Sequence, residues 1–264
     1  MLSEGAPAST PMEVIAAALR RLAPNLPGSV RFRLINSLEH FDRASLLLEG
    51  DREMAAFRAI RGEEEAAAAL IKAIQLRRYP HAREFNARDH QHKAAIVACV
   101  MAVANQVSPM MRKFQLTFDH EKRRADVRVP LSNFGVEGGE LFSVQPVEPL
   151  DLIYSGEKSE AEVLDNALSS LAQQSNFENI RRMVSAQANS RNTLLYASDS
   201  SVPLSDASSG DIENRRNRAF IVLVLCVMVL QSRKHQSLVL EAIRAFLRAI
   251  SGLPAVQATG GGRA

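Results

Sequence analysis

The amino-acid sequence predicts a mainly α protein, a helical bundle in two blocks with a small β-hairpin insert. Aromatic residues supply 5% of the chain and Trp is absent, whereas β-sheets favour aromatic and β-branched residues. Apolar residues recur at steps of three and four through most of the 264 residues, which is the period of an amphipathic helix. With 46% hydrophobic and 23% charged residues, the composition is that of a globular protein and not of a disordered chain.

The first helical block is predicted over residues 12–110, after a disordered N-terminus of residues 1–11. Proline, glycine and an aspartate cap, Asp51, divide this block, because they end helices or begin the next one. The predicted helices are Met12–Ala23, Gly28–Glu49, one from Asp51 to about Arg77, and one from Arg88 or Asp89 to Val107.

A β-rich insert is predicted over residues 111–155. Apolar residues alternate with polar ones on both sides of the charged segment Asp119–Arg124, the pattern of a β-hairpin from about Phe114 to Leu131. Leu141–Val147 is a candidate third strand.

The second helical block, residues 156–251, is predicted to pack on the first, and a disordered tail of residues 252–264 is expected to follow. Its predicted helices are Ala161–Gln173, Phe177–Tyr196, Asp211–Arg233 and His235–Ile250. The run Ala219–Leu230 is apolar on all sides, so we expect it to be among the most buried segments.

Several classes of protein are disfavoured. The apolar run Ala219–Leu230 has twelve residues, fewer than the ~18–20 that span a bilayer, and the N-terminus lacks the pattern of a signal peptide. We therefore expect a cytoplasmic protein without a membrane partner, and we expect Cys99 and Cys226 to be buried thiols. A net charge of +3 argues against a general coat for nucleic acid. Phosphate-binding glycine motifs, GxSxG and zinc spacings are missing, which argues against a conventional metabolic enzyme.

Glu64 is the first polar residue that suggests a site. It falls on an apolar stripe of its helix between Ile60 and Ala67, where an unpaired carboxylate would be costly. Lys93, on the helix that follows, is the leading candidate partner. Such a pair is either a structural ion pair or part of a polar pocket, and Glu64 could instead belong with Glu63 and Glu65 to a solvated acidic turn.

Histidines between Arg77 and Lys93 are the second sign of a site. A metal site is weakly supported, because His90 and His92 diverge on a helix. Arg83 and His90 have six residues between them, and an arginine and a histidine are the groups that phosphoester chemistry on RNA requires. The same pattern also fits a charged and partly exposed start of a helix.

The stretch His40–Ile74, HFDRASLLLEGDREMAAFRAIRGEEEAAAALIKAI, resembles the paired helices of the HEPN superfamily. The resemblance narrows to AbiV-type abortive-infection proteins, in which a glutamate-rich helix precedes an Asp-His-Lys-like helix start, here Asp89–Lys93. A later Arg-x-x-x-Leu-Tyr element is similar to Arg191–Tyr196, followed by Pro203. The likeness covers Phe32–Val107 and Ser175–Ile250. The usual RNase signature of the superfamily, an arginine followed after four to six residues by a histidine, is compatible with Arg83 and His90.

The resemblance implies an RNA-cleaving toxin of antiphage defence that uses no metal ion or other cofactor. His90 is then the general base or acid, Arg83 binds the phosphate, and Glu64 with Lys93 holds the geometry. His92 completes the candidate catalytic set, and Arg191 and Tyr196 are candidate binding residues. RNA, a second copy of the chain and a phage or host protein trigger are the implied partners. The alternative is a non-catalytic helical interaction or scaffold protein, with the insert as a docking surface.

Overall fold

A computed structural model describes residues 11–111, 115–119, 121, 124–134, 143–151, 160–195 and 205–250. It confirms a mainly helical fold with a small antiparallel sheet as an insert. The helices are α1 (Pro11–Leu22), α2 (Gly28–Leu47), α3 (Arg52–Leu76), α4 (His90–Met111), α5 (Glu160–Gln174), α6 (Ile180–Leu195), α7 (Ser209–Gln231) and α8 (Ser237–Ile250). The strands are β1 (Gln115–Asp119), β2 (Arg124–Pro130) and β3 (Ser143–Val144).

Helix α3 is the centre of the bundle and packs against α2, α4, α6 and α7. Its inner faces are built from small alanines, so neighbouring helices approach it closely. Gly62 marks the closest approach of α2. There the Ser37 hydroxyl donates a 2.7 Å hydrogen bond to the Gly62 carbonyl, and the Phe41 ring covers the Gly62 Cα.

Helix α7 lies alongside α3 and carries the long apolar run. A capping box between Ser208 and Asp211 fixes its first turn. The prediction that Ala219–Leu230 is deeply buried holds for most of the run. Ile221 is the exception, with 43% of its surface exposed, since the helix turns that side chain away from the core.

The insert joins the bundle at the junction between α7 and α8. Strand β2 pairs with both β1 and β3, which confirms the predicted hairpin and its short third strand. The Ala125 amide donates to the Gln231 side chain, and the Leu150 amide donates to the side-chain oxygen of Gln236. Gln236 is fully buried, and its backbone amide donates to the hydroxyl of Tyr79, which lies just beyond α3. The insert is thus tied to the bundle by hydrogen bonds to the half-buried Gln231 and the buried Gln236.

The predicted disorder of residues 1–11 and 252–264 concerns segments that, apart from Pro11, lie outside the described residues. Within the described part of the chain, no helix has the length and the apolar character needed to cross a membrane.

Candidate functional site

The candidate site lies where α3 faces the first turn of α4. Asp89 caps α4, since its carboxylate accepts hydrogen bonds from the amides of Gln91 and His92, at 2.8 and 3.1 Å. His90 and Lys93 are three residues apart and therefore share the face of α4 that meets α3. The helix begins at His90, one residue after the later of the two predicted starts.

Glu64 of α3 contacts three basic side chains. Its Oε1 lies 2.5 Å from Nδ1 of His90, and its Oε2 lies 2.5 Å from the Arg61 guanidinium and 3.4 Å from Nζ of Lys93. Glu64 and Lys93 are 7% and 5% exposed. The ion pair predicted between Glu64 and Lys93 is therefore present and buried.

The surroundings of this cluster change the acidity of its members. Burial alone would raise the pKa of Glu64, but the hydrogen bond from His90 and the positive charges of Lys93, His90 and Arg61 lower it to about 2. Burial lowers the pKa of Lys93, and the Glu64 carboxylate opposes part of that effect. Glu64 is therefore ionised throughout the physiological pH range.

Glu63 forms a second ion-pair cluster, which the sequence reasoning missed. Its carboxylate lies 2.5 Å from Arg215 and 2.6 Å from Arg218, both on α7, and it is 6% exposed. The interpretation of this segment as a solvated acidic turn is thus wrong for Glu63. Adjacent residues on a helix point about 100° apart, so Glu63 and Glu64, the first two of three consecutive glutamates in an alanine-rich helix, were a signal that two neighbouring helices supply cations.

A small polar cavity of about 30 Å³ lies between the two clusters. Helices α3, α4, α6 and α7 line it, and its polar groups belong to Glu63, Glu64, His90, Lys93, Gln187 and Arg215. This volume accommodates one or two water molecules. The His90 side chain is 28% exposed, and its second ring nitrogen, Nε2, has no protein hydrogen-bond partner among the described residues.

Arg83 lies apart from this cluster. It is exposed in the turn Ala82–Glu84, and the Gln75 side chain holds that turn by donating to the carbonyls of Ala82 and Phe85. Gln75 follows Glu64 by eleven residues on α3, which is about 16 Å along the helix axis. No contact joins Arg83 to His90 in the described part of the chain.

The other candidate residues also differ in position. His92 points away from Glu64, since its Nδ1 accepts a 3.0 Å hydrogen bond from the Asn86 amide and its ring packs edge-on against Phe246. Arg191 lies on α6 one turn after Gln187, which lines the cavity, and its Nε is buried and unpaired in the described structure. Tyr196 falls outside the described residues.

His40 of α2 is a further titratable group that the sequence reasoning did not select. It is 8% exposed, and its Nδ1 has no hydrogen-bond partner among the described residues. Burial lowers its pKa to about 4, helped by the charges of Arg58, Arg61 and Arg43. His40 is therefore neutral at pH 7, in a region of positive potential that extends to Arg61 and Glu64.

The described residues contain no group of three or more His, Cys, Asp or Glu side chains arranged to hold a metal ion. The groups that the candidate site brings together are a carboxylate, a histidine and several cations. In comparisons with models of protein families, with curated proteins and with solved structures, none matched this chain.

Proposed function

We propose that the protein is an antiphage abortive-infection effector that cleaves RNA without a metal ion, with His90 as the general base. The observation that carries this proposal is the 2.5 Å contact between the Glu64 carboxylate and Nδ1 of His90. The resemblance of His40–Ile74 to the HEPN superfamily supplies the substrate class and the biological setting.

The contact between Glu64 and His90 is suited to proton transfer. An ionised carboxylate can only accept a hydrogen bond, so Nδ1 carries a proton, and in the neutral form of the ring Nε2 has a free lone pair. A carboxylate that fixes the tautomer and orientation of a histidine is a recurrent arrangement in general acid–base catalysis. The His90 side chain is 28% exposed, and Nε2 is the atom that we propose meets the substrate.

The proposed reaction is attack by a ribose 2′-hydroxyl on the adjacent phosphate. Nε2 of His90 takes the hydroxyl proton, a bond forms between the 2′-oxygen and phosphorus, and the bond from phosphorus to the 5′-oxygen breaks. The products are a 2′,3′-cyclic phosphate and a 5′-oxygen that takes a proton from solvent. Arg61 and Arg215, with side chains 26% and 29% exposed, lie beside the dyad and can stabilise the phosphate charge.

The remaining candidate residues have different places in this proposal. Arg83 lies apart from His90 within one chain, so its role in phosphate binding requires a homodimer that brings these residues of different copies together. Arg191 and Tyr196 are proposed to bind RNA, and His92 to support the position of the α4 start. The proposed location is the cytoplasm, and the proposed trigger is a phage or host protein.

A non-catalytic scaffold is the second candidate function, and a specific observation favours it. Each of the two buried glutamates is already neutralised by at least two cations, and the cavity between them is water-sized. A purely structural role, fixing the packing of α3 against α4 and α7, is sufficient to account for such a network. In that case substitution of His90 leaves partner binding intact.

The two functions are separated by variants at His90 and Arg83. Purified wild type, His90→Ala and Arg83→Ala are incubated with total RNA in the presence of a chelator, and growth is followed during expression with and without phage. RNA cleavage should survive chelation and fall about a hundredfold in His90→Ala, the usual scale for one acid–base group.

His81→Ala is the matched control, because His81 is exposed and its partner among the described residues is Glu84, away from the dyad. It should retain full activity. If RNA stays intact before and during infection while protection from phage persists, the ribonuclease proposal is wrong and the scaffold function is favoured.

A further inference from the structure

Arg58 of α3 is a half-buried arginine whose charge is not balanced by any of the described residues. Among the residues that the structure describes it has no hydrogen-bond or ion-pair partner, and its Nε is buried and unpaired. Its neighbours are different, since Arg61 pairs with Glu64 and Glu65, and Arg43 pairs with Glu39. A buried donor without an acceptor is costly, and none of the described residues supplies an acceptor to this nitrogen.

The three arginines lie together. Arg58 and Arg61 are three residues apart on α3, which places their Cβ atoms about 5–6 Å from each other. All three act on His40 of α2, since burial lowers its pKa and the positive charges of Arg58, Arg61 and Arg43 lower it further. Arg58, Arg61 and Arg43 therefore all lie within electrostatic range of the same buried ring.

The described side chains of this region leave one positive charge unbalanced, which one monovalent anion would neutralise. Arg43, Arg58 and Arg61 contribute three positive charges, Glu39 and Glu65 remove two of them, and Lys93 balances Glu64. His40 is neutral at pH 7 and adds none. A guanidinium with free N–H donors matches the oxygens of a phosphate group, which it can bind with two parallel hydrogen bonds.

We propose that Arg58, with Arg61 and Arg43 beside it, forms a phosphate-binding site. The ligand is a phosphate group, either a phosphodiester of RNA or a free phosphate ion. The Arg61 guanidinium also contacts Glu64, the partner of His90, so the site adjoins the dyad. If the proposed function is correct, on which this last assignment rests, the bound group is a phosphodiester of the same RNA strand that His90 cleaves.

Binding of an RNA that cannot be cleaved tests the site without relying on catalysis. Fluorescence anisotropy with a single-stranded 2′-O-methyl RNA is measured for wild type and Arg58→Gln over a series of salt concentrations. Arg58→Gln should weaken binding about tenfold at low salt and reduce the slope of log affinity against log salt by about 0.7, the share of one phosphate. Arg182→Gln is the control, since Arg182 is an exposed arginine on α6 that pairs with Glu178.

Inorganic phosphate distinguishes the two sources of the ligand. If millimolar phosphate raises the melting temperature of wild type above that in chloride of equal ionic strength, but not that of Arg58→Gln, the site accepts free phosphate. An effect of Arg58→Gln on RNA binding alone assigns it to the RNA backbone. Should Arg58→Gln match wild type in both measurements, the site is refuted.

Two further variants keep the test decisive. Arg58→Lys retains the charge but not the bidentate geometry, so it should bind RNA with intermediate affinity even if Arg58→Gln does not fold. His81→Ala, the exposed control away from the dyad, should bind the 2′-O-methyl RNA as wild type does. Absence of cleavage together with binding that depends on Arg58 refutes the ribonuclease proposal and leaves the phosphate site standing.

Discussion

Replacement of Glu64 by Gln tests the buried cluster most directly. The glutamine keeps the size of the side chain but removes the charge that faces Lys93, Arg61 and His90. The pKa of Glu64 falls from 4.5 to about 2 in the folded protein. At about 1.4 kcal/mol for each tenfold change in ionisation, this difference corresponds to about 3 kcal/mol of stability.

That magnitude agrees with the loss of stability, about 3–5 kcal/mol, that follows removal of one partner of a buried ion pair. The measurement is urea unfolding at pH 7 for wild type, Glu64→Gln, Lys93→Met and the double variant. Because Lys93 is 5% exposed, the double variant should be less destabilised than the two single effects predict together. Glu65→Gln, a partly exposed neighbour, should change stability by less than about 1 kcal/mol.

The pH dependence gives this prediction a second check. A carboxylate whose pKa is lower in the folded state stabilises that state when the pH is above the pKa of the unfolded chain. The stabilisation disappears as the pH falls through the pKa of the folded state. The difference between wild type and Glu64→Gln should therefore be full at pH 7 and shrink between pH 4.5 and about 2. A near-neutral Glu64→Gln at pH 7, or a difference independent of pH, would refute the reasoning.

Two other predictions concern the contact of α2 with α3. The pKa of His40 falls from 6.5 to about 4 on folding, so as pH is lowered the unfolded chain binds a proton before the folded protein does. The free energy of unfolding should therefore decrease by about 3 kcal/mol as pH falls from 6.5 to about 4. Urea unfolding should show no such drop in His40→Gln. Gly62→Ala places a Cβ 2.5 Å from the buried Phe41 ring, so a lower melting temperature is expected despite the better helix propensity. Gly50→Ala, with nothing within 4 Å, should not be destabilised, and a stabilised Gly62→Ala would contradict the packing.

The helices were predictable where their ends have local causes. Gly28–Leu47 begins after Pro27 and ends before Gly50, and the hairpin follows from alternation alone. The contact of Glu64 with Lys93 could also be predicted from the sequence, because each residue interrupts an apolar stripe and both stripes must face the same core.

Contacts between distant elements were not predictable in the same way. Which helix lies beside Glu63 depends on the packing of α7, 152 residues later in the chain. The position of Arg83 depends on the path of the loop after α3, where Arg78 and His81 adopt positive φ angles of 55° and 62°. Such conformations are uncommon for residues other than glycine and have no clear sequence signal. The number of residues between Arg83 and His90 in the sequence therefore did not indicate how far apart they lie in the folded structure.

The wide separation of Glu63 from its partners has a consequence for the nascent chain. At about 5–20 residues per second, a ribosome takes about 8–30 s to make the segment between Glu63 and Arg215. During that time α2, α3 and α4 can already exist, and Glu64 can contact His90 and Lys93, while Glu63 has no cation from α7. A chain that stops before α7 would thus carry the dyad next to an uncompensated carboxylate, whose negative charge repels an incoming phosphate. Completion of α7 supplies Arg215 and Arg218, whose positive charges compensate the Glu63 carboxylate beside the dyad.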